Sequence, residues 1–170
     1  MLQNMILIGF MGAGKTSIGK RVARLLQLEL IDTDEWIEQQ QNRSINDIFA
    51  AEGEPYFRDL ETAALKELLQ REGKAVISVG GGLPMREENR KLLHTLGTVI
   101  YLEADPETLY QRLQGSKNRP KLQGGDLREK IRNLMEQREE TYLETAVLRF
   151  QTAGKTPDQC AQELADLDKW

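Results

Sequence analysis

The chain has 170 residues, a length that suits one domain able to bury a core of its own. Its net charge is −4 and no cluster of Lys or Arg exceeds a few residues, so nothing supports a nucleic-acid-binding face. No apolar stretch approaches the roughly 18 residues of a membrane span, and no basic region followed by an apolar segment opens the chain. The one cysteine, Cys160, cannot form an internal disulfide. A cytoplasmic, monomeric protein without membrane or nucleic-acid partners is expected.

Apolar, strand-like runs recur at 5–9, 28–31, 75–79, 98–102 and 146–151, and helical patterns separate nearly all of them. That alternation predicts βα repeats, hence an α/β fold with a parallel sheet and helices on both faces in a single domain. Ligands of such sheets bind beyond the carboxyl ends of the strands, so the residues that follow each strand are the informative ones.

After the first run comes Gly9-Phe10-Met11-Gly12-Ala13-Gly14-Lys15-Thr16, which fits the phosphate-binding loop G-x-x-x-x-G-K-[ST] in its strand–loop–helix context. Glycines let backbone N–H groups turn toward phosphate oxygens, and the new helix adds a favourable dipole. Gly12, Ala13, Gly14, Lys15, Thr16 and Ser17 are therefore candidate nucleotide ligands. Lys15 can reach the β and γ phosphates, and the Thr16 hydroxyl is placed for Mg²⁺. A nucleoside triphosphate is the expected ligand.

After the second run stands Asp32-Thr33-Asp34. One carboxylate there can hold Mg²⁺ directly or through water, and another can orient a substrate hydroxyl and accept its proton. Helix capping by Thr33 or Asp34 is the bland alternative. The third run ends in no acid, so Asp32 is the candidate metal carboxylate. Ser44-Ile45-Asn46-Asp47 reads as a capping box, and Glu54-Pro55 opens a longer helix with an apolar stripe through Phe57, Leu60, Ala64, Leu65, Leu68 and Leu69. On it, Arg58 and Glu61 are three apart. They are either a surface pair or a device that holds the guanidinium for a carboxylate ligand.

Gly80-Gly81-Gly82 after the third run points to a close approach by a ligand or another backbone. Asp105-Pro106 starts a helix to about Leu113, followed by a polar, basic, glycine-flanked segment that reads as a lid, able to bring Arg119 to the transferring group. Asp126 and Glu129 open a long helix, with Arg138 on the apolar line of Ile131, Met135 and Tyr142. A cation there needs an anion, either an internal carboxylate or an anionic substrate. Thr156-Pro157-x-Gln159 caps the last helix. The lone His94 has no metal-ligand companions, and Cys160 reads as a small apolar residue.

Asp32-Thr33-Asp34, Phe57-Arg58-x-x-Glu61, Ser78-x-Gly80-Gly81-Gly82, Asn118-Arg119-Pro120 and Arg138-x-x-x-Tyr142, in this order behind a P-loop, resemble the shikimate kinases over almost the whole chain. The resemblance implies a fold like the nucleoside monophosphate kinases, with strand order 2-3-1-4-5, and transfer of the ATP γ-phosphoryl to the 3-hydroxyl of shikimate with Mg²⁺. It implies a lid at about 112–125 and an acceptor-binding segment at about 33–61. By position, Asp34, Arg58, Gly80, Gly81, Gly82 and Arg138 would bind shikimate, the two arginines gripping its carboxylate. Lys15, Asp34 and Arg119 would carry the chemistry, with Thr16 and Asp32 at the metal. Arg112, Arg119, Thr156 and Pro157 would face the nucleotide. Two positions depart from the family: Lys121 stands where Leu is frequent, and Pro84 where an aliphatic residue is common. A nucleotide or sugar-acid kinase would share the P-loop but not need the triple glycine with Arg58 and Arg138. The N-K-x-D and D-x-x-G patterns of guanine switches do not occur.

Overall fold

The structure is a computed structural model that describes residues 4–115, 120–122 and 124–167. Its strands are β1 (Asn4–Ile8), β2 (Glu29–Asp32), β3 (Ala75–Ser78), β4 (Gly97–Glu103) and β5 (Leu148–Gln151). They form one parallel sheet in the order β2-β3-β1-β4-β5, the order expected from the resemblance. The fifth strand begins at Leu148 rather than at 146, because Ala146 is the C-cap of the preceding helix.

Strand periodicity explains the layering. Met5, Leu7, Val76, Ile100 and Leu102 pack on one side against Ile18, Val22 and Leu164, from α1 (Lys15–Leu26) and α8 (Pro157–Leu167). The alternate residues Ile6, Ile8, Ile77, Val99 and Tyr101 pack on the other side against Leu65, Leu93, Leu109 and Ile131. Those come from α4 (Glu54–Leu68), α5 (Glu87–Leu96), α6 (Pro106–Leu113) and α7 (Leu127–Thr145). Both faces are covered, which is why the strands read as unbroken apolar runs rather than as alternating ones. Each fully buried Leu or Ile here stabilises the fold by roughly 1.5–3 kcal/mol over its exposed state.

A smaller cluster of Ile37, Ile48, Phe57 and Ala64 ties α2 (Thr33–Gln41) and α3 (Ile45–Glu52) to α4. Ser44 Oγ caps α3 by accepting from the Asp47 N–H at 3.1 Å, and the Phe49 and Phe57 rings meet at 4.9 Å. This assembly stands beyond the carboxyl end of β2 and forms one wall of the main cavity. The cap of α2 is Asp32, not Thr33 or Asp34: its Oδ1 accepts from the Asp34 N–H at 2.9 Å and the Glu35 N–H at 3.2 Å. Cys160 is buried against the sheet. His94 is exposed, with Nε2 2.7 Å from the Thr145 carbonyl. Among the described residues no helix is long and apolar enough to cross a membrane.

Candidate active site

The main cavity, about 550 Å³, opens at the carboxyl ends of β1, β2 and β3. One half is the P-loop, between β1 and α1. Gly14, the N-cap of α1, has φ 98° and provides no side-chain cap, so the first-turn N–H groups face a prospective anion. Gly12 has φ 83°, a left-handed conformation that favours glycine. Ala13 is buried, and its N–H donates to the Phe10 carbonyl at 3.1 Å. Lys15 is only 8% exposed, and its Nζ donates to the Gly9 carbonyl at 2.7 Å and the Phe10 carbonyl at 2.9 Å. A buried ammonium held by neutral carbonyls gains a stronger, charge-assisted partner when phosphate oxygens arrive.

Thr16 Oγ1 donates to Asp32 Oδ2 at 2.6 Å and lies 3.5 Å from Ser78 Oγ. Asp32 therefore caps α2 with one oxygen and meets the P-loop threonine with the other. Hydroxyl and carboxylate oxygens are the donors that Mg²⁺ takes, and no cluster of three or more His, Cys, Asp or Glu able to hold a metal occurs among the described residues. That fits an ion completed by water and phosphate oxygens rather than caged by protein. Ser17 is engaged elsewhere: its Oγ accepts from Arg21 Nη1 at 2.8 Å, and Arg21 Nε pairs with Asp158 of α8 at 2.8 Å.

A second hollow of about 330 Å³ lies between α6 and the loop after β5, lined by Arg112, Thr152, Lys155 and Thr156 among others. Arg112 Nη1 reaches back to the Gly12 carbonyl at 2.9 Å and so connects this hollow to the P-loop. Thr156 and Gln159 cap each other reciprocally, side-chain oxygen to backbone N–H, at 3.1 and 2.9 Å, which starts α8 at Pro157. Arg119 and Asn118 lie outside the described residues.

The other half of the cavity is made of charged side chains. Arg58 and Glu61 are not a surface pair. Nη1 donates to Glu61 Oε1 at 2.5 Å, with the Arg58 side chain 15% exposed and that of Glu61 fully buried. Burial pushes the Glu61 carboxyl up to about 7; Arg58 opposes the rise by charge and hydrogen bond, and the negative charge of Asp34 adds to it. Desolvation outweighs a close guanidinium here because the acid is sealed on all sides. Arg138 is 5% exposed, and its Nη1 has no hydrogen-bond partner; the same holds for Glu61 Oε2. A buried cation with an unmet donor is costly, and the internal carboxylate that could have met it is absent from that atom.

The three glycines are explained by these side chains rather than by backbone strain. A Cβ on Gly80 would sit 2.8 Å from Asp34 Oδ1 and 2.9 Å from Glu61 Oε2, and one on Gly81 would sit 3.2 Å from Arg138 Nη1. A Cβ on Gly82 would overlap the Arg58 guanidinium. The Gly80 N–H donates to Thr33 Oγ1 at 3.1 Å, which ties the ends of β2 and β3 together. Tyr142 donates to the Gly81 carbonyl at 2.5 Å and fixes the next residue. The sequence pattern suggested a ligand or a backbone close by; the neighbours are the side chains of Asp34, Glu61, Arg138 and Arg58.

Of the expected residues, the cavity gathers Gly12, Gly14, Lys15, Thr16, Ser17, Asp32, Asp34, Arg58, the three glycines and Arg138. Arg112 and Thr156 line the second hollow instead. Sequence reasoning gave no site role to two residues. Glu54 Oε1 is 3.6 Å from Arg58 Nε, and Glu54 Oε2 pairs with Lys121, which lines the cavity beside Pro120. The i,i+4 spacing of Glu54 and Arg58 was a readable signal; the contact with Lys121 was not.

The shikimate kinase family model matches residues 11–168. Among curated proteins, the shikimate kinase of Pelotomaculum thermopropionicum is 41% identical over 163 residues, covering 96% of this chain and 94% of its own. That of Burkholderia thailandensis is 46% identical over 149 residues, with 88% and 80% covered. Among solved structures, shikimate kinase from Acinetobacter baumannii in complex with shikimate superposes with a TM-score of 0.94 at 38% identity, over 99% of this chain and 94% of that one. The Aquifex aeolicus enzyme gives 0.81 at 34% identity, over 98% and 97%. With this sheet order, P-loop and arginine-lined cavity, the chain belongs to the shikimate kinase family.

Proposed function

We propose that this protein, as one P-loop kinase domain, transfers the γ-phosphoryl group of ATP to the 3-hydroxyl of shikimate. That reaction serves aromatic amino-acid biosynthesis. The observation that carries the reading is Arg138: a nine-tenths-buried guanidinium with an unmet donor, in the same cavity as Lys15 and Asp34. A carboxylate on a small polyol meets that donor. The structural relative from Acinetobacter baumannii is a complex with shikimate, which supports this choice.

In the proposed mechanism the P-loop N–H groups and Lys15 hold the β and γ phosphates, with Arg112 and Thr156-Pro157 toward the nucleoside. Arg58 and Arg138 grip the acceptor carboxylate, and Asp34 orients the reacting hydroxyl beside Gly80. The hydroxyl oxygen forms a bond to the γ-phosphorus as the bond from phosphorus to the β,γ-bridging oxygen breaks. ADP leaves with that electron pair, and the hydroxyl proton passes late to Asp34. Catalysis is then mostly positioning and charge neutralisation. Thr16 and Asp32 would hold Mg²⁺, whose charge neutralises the phosphate oxygens. Arg119 is assigned to the transferring group from its motif alone. Action as a monomer in the cytoplasm is part of this proposal.

The decisive experiment is ADP release with and without shikimate, beside nucleoside monophosphates and gluconate as acceptors. Release stimulated by shikimate alone is expected. Stimulation only by a nucleoside monophosphate, or nucleotide binding with no acceptor-stimulated release, overturns the reading.

A further inference from the structure

The acceptor wall contains an anion that no proposed step uses. Glu54 opens α4 one turn before Arg58, with Oε1 3.6 Å from Arg58 Nε, too long for a charge-assisted hydrogen bond. Its other oxygen, Oε2, is paired with Lys121 Nζ. Partial burial pushes the Glu54 carboxyl up. The hydrogen bond to Lys121, with the charges of Arg58, Lys121 and Arg138, outweighs that and holds it below the usual range, so it is ionised. This carboxylate therefore feels both arginines that the acceptor carboxylate needs.

The position of Lys121 does not depend on Glu54. Pro120–Leu122 form a short 3-10 turn, and Leu122 is buried in the core beside α7. That packing leaves Lys121 and Glu54 as a rim pair, with side chains 39% and 38% exposed. A pair so open to solvent adds little to stability. Its larger consequence is local: it engages one oxygen of the carboxylate whose other oxygen faces Arg58.

We propose that Lys121 is a positioning residue for acceptor binding: by engaging Glu54 Oε2 it keeps the Glu54–Arg58 ion pair at its loose 3.6 Å separation and so leaves the Arg58 guanidinium to the acceptor carboxylate. Without Lys121, Arg58 is the cation left beside Glu54, and a rotamer change of the Glu54 side chain tightens the 3.6 Å ion pair into a hydrogen-bonded one that competes with the acceptor. The incoming carboxylate must then displace an internal one.

The inference rests on the cavity being the shikimate site, and wild-type turnover of shikimate tests that separately. The test uses the full chain with K121M, K121R, E54Q and K121M/E54Q, and measures KM for shikimate and for ATP by ADP release. K121M is expected to raise KM for shikimate about tenfold, with ATP KM unmoved and kcat changed less than KM. E54Q in the K121M background is expected to reverse most of that rise, because the competitor is gone, and K121R to regain most of the affinity lost in K121M. A wild type active on shikimate with an unmoved K121M overturns the inference. So does a raised KM that E54Q leaves in place, since Lys121 would then meet the acceptor itself.

Discussion

The two halves of the cavity are built on different principles. The donor half is mostly backbone. Gly14 leaves helix N–H groups uncapped, Lys15 is already held by two carbonyls, and Thr16 and Asp32 satisfy each other. The acceptor half is side chains of opposite sign, and it contains the two buried polar atoms without a partner among the described residues, Glu61 Oε2 and Arg138 Nη1. A backbone cradle accepts the phosphates of any nucleoside triphosphate. A rigid array of acids and guanidiniums accepts one arrangement of carboxylate and hydroxyls. Under the proposed function, specificity for the acceptor resides in the half that is incompletely satisfied by itself. Changes there should alter acceptor kinetics and leave ATP binding intact.

The sharpest way to break that division is Asp34→Asn. If Asp34 orients the hydroxyl and takes its proton, kcat falls by about 10²–10⁴-fold, while ATP affinity by direct titration stays within about twofold. Retained turnover removes Asp34 from the chemistry. Arg138→Ala comes next. Losing a buried donor to a charged ligand raises KM for shikimate by about 10–100-fold, and a parallel loss of ATP affinity would show that the two halves are not separable.

How much of this was legible before any coordinates follows the same division. The P-loop is a contiguous motif, and the strands announce themselves by apolar runs, so the fold class and the donor half were readable locally. Most strand ends moved by a single residue, and the largest shift, two residues at the start of β5, arose because α7 uses Ala146 as its cap. The acceptor half depends on packing between distant segments. Whether Arg58 and Glu61 are a surface pair is decided by the walls that seal Glu61, and spacing three apart says nothing of that. The triple glycine was readable as a close approach, but the approaching atoms belong to Asp34, Glu61, Arg138 and Arg58 on three other helices. Asp32 illustrates a different limit: one residue serves as helix cap and as P-loop partner, where the sequence offered Thr33 or Asp34 as the cap.

The glycines supply a smaller, more geometrical test. In Gly82→Ala the added methyl overlaps the Arg58 guanidinium, while the backbone at φ −91° tolerates a side chain. The fold should survive and Arg58 should move. The expected result is a KM for shikimate raised about tenfold, of the order of one charge-assisted contact, at nearly unchanged ATP KM. An equal loss in both would place the defect in the backbone of the loop rather than in Arg58.

The smallest expected effect is thermal and concerns Glu61. Burial places its folded-state carboxyl near 7, above the ordinary 4.5, so the folded chain holds this proton more tightly than the unfolded chain. The stability linked to that proton is fully present below about pH 4.5 and is lost as pH rises through about 7. Glu61→Gln is neutral at every pH and cannot show this loss, although it weakens the hold on Arg58 throughout. Wild type minus variant should therefore fall by a few degrees in Tm between pH 4.5 and 8, measured by calorimetry in matched buffers. A flat difference would mean that Arg58 keeps Glu61 ionised across the range. The acceptor half would then be a settled ion pair, and the contrast with the donor half would rest on Arg138 alone.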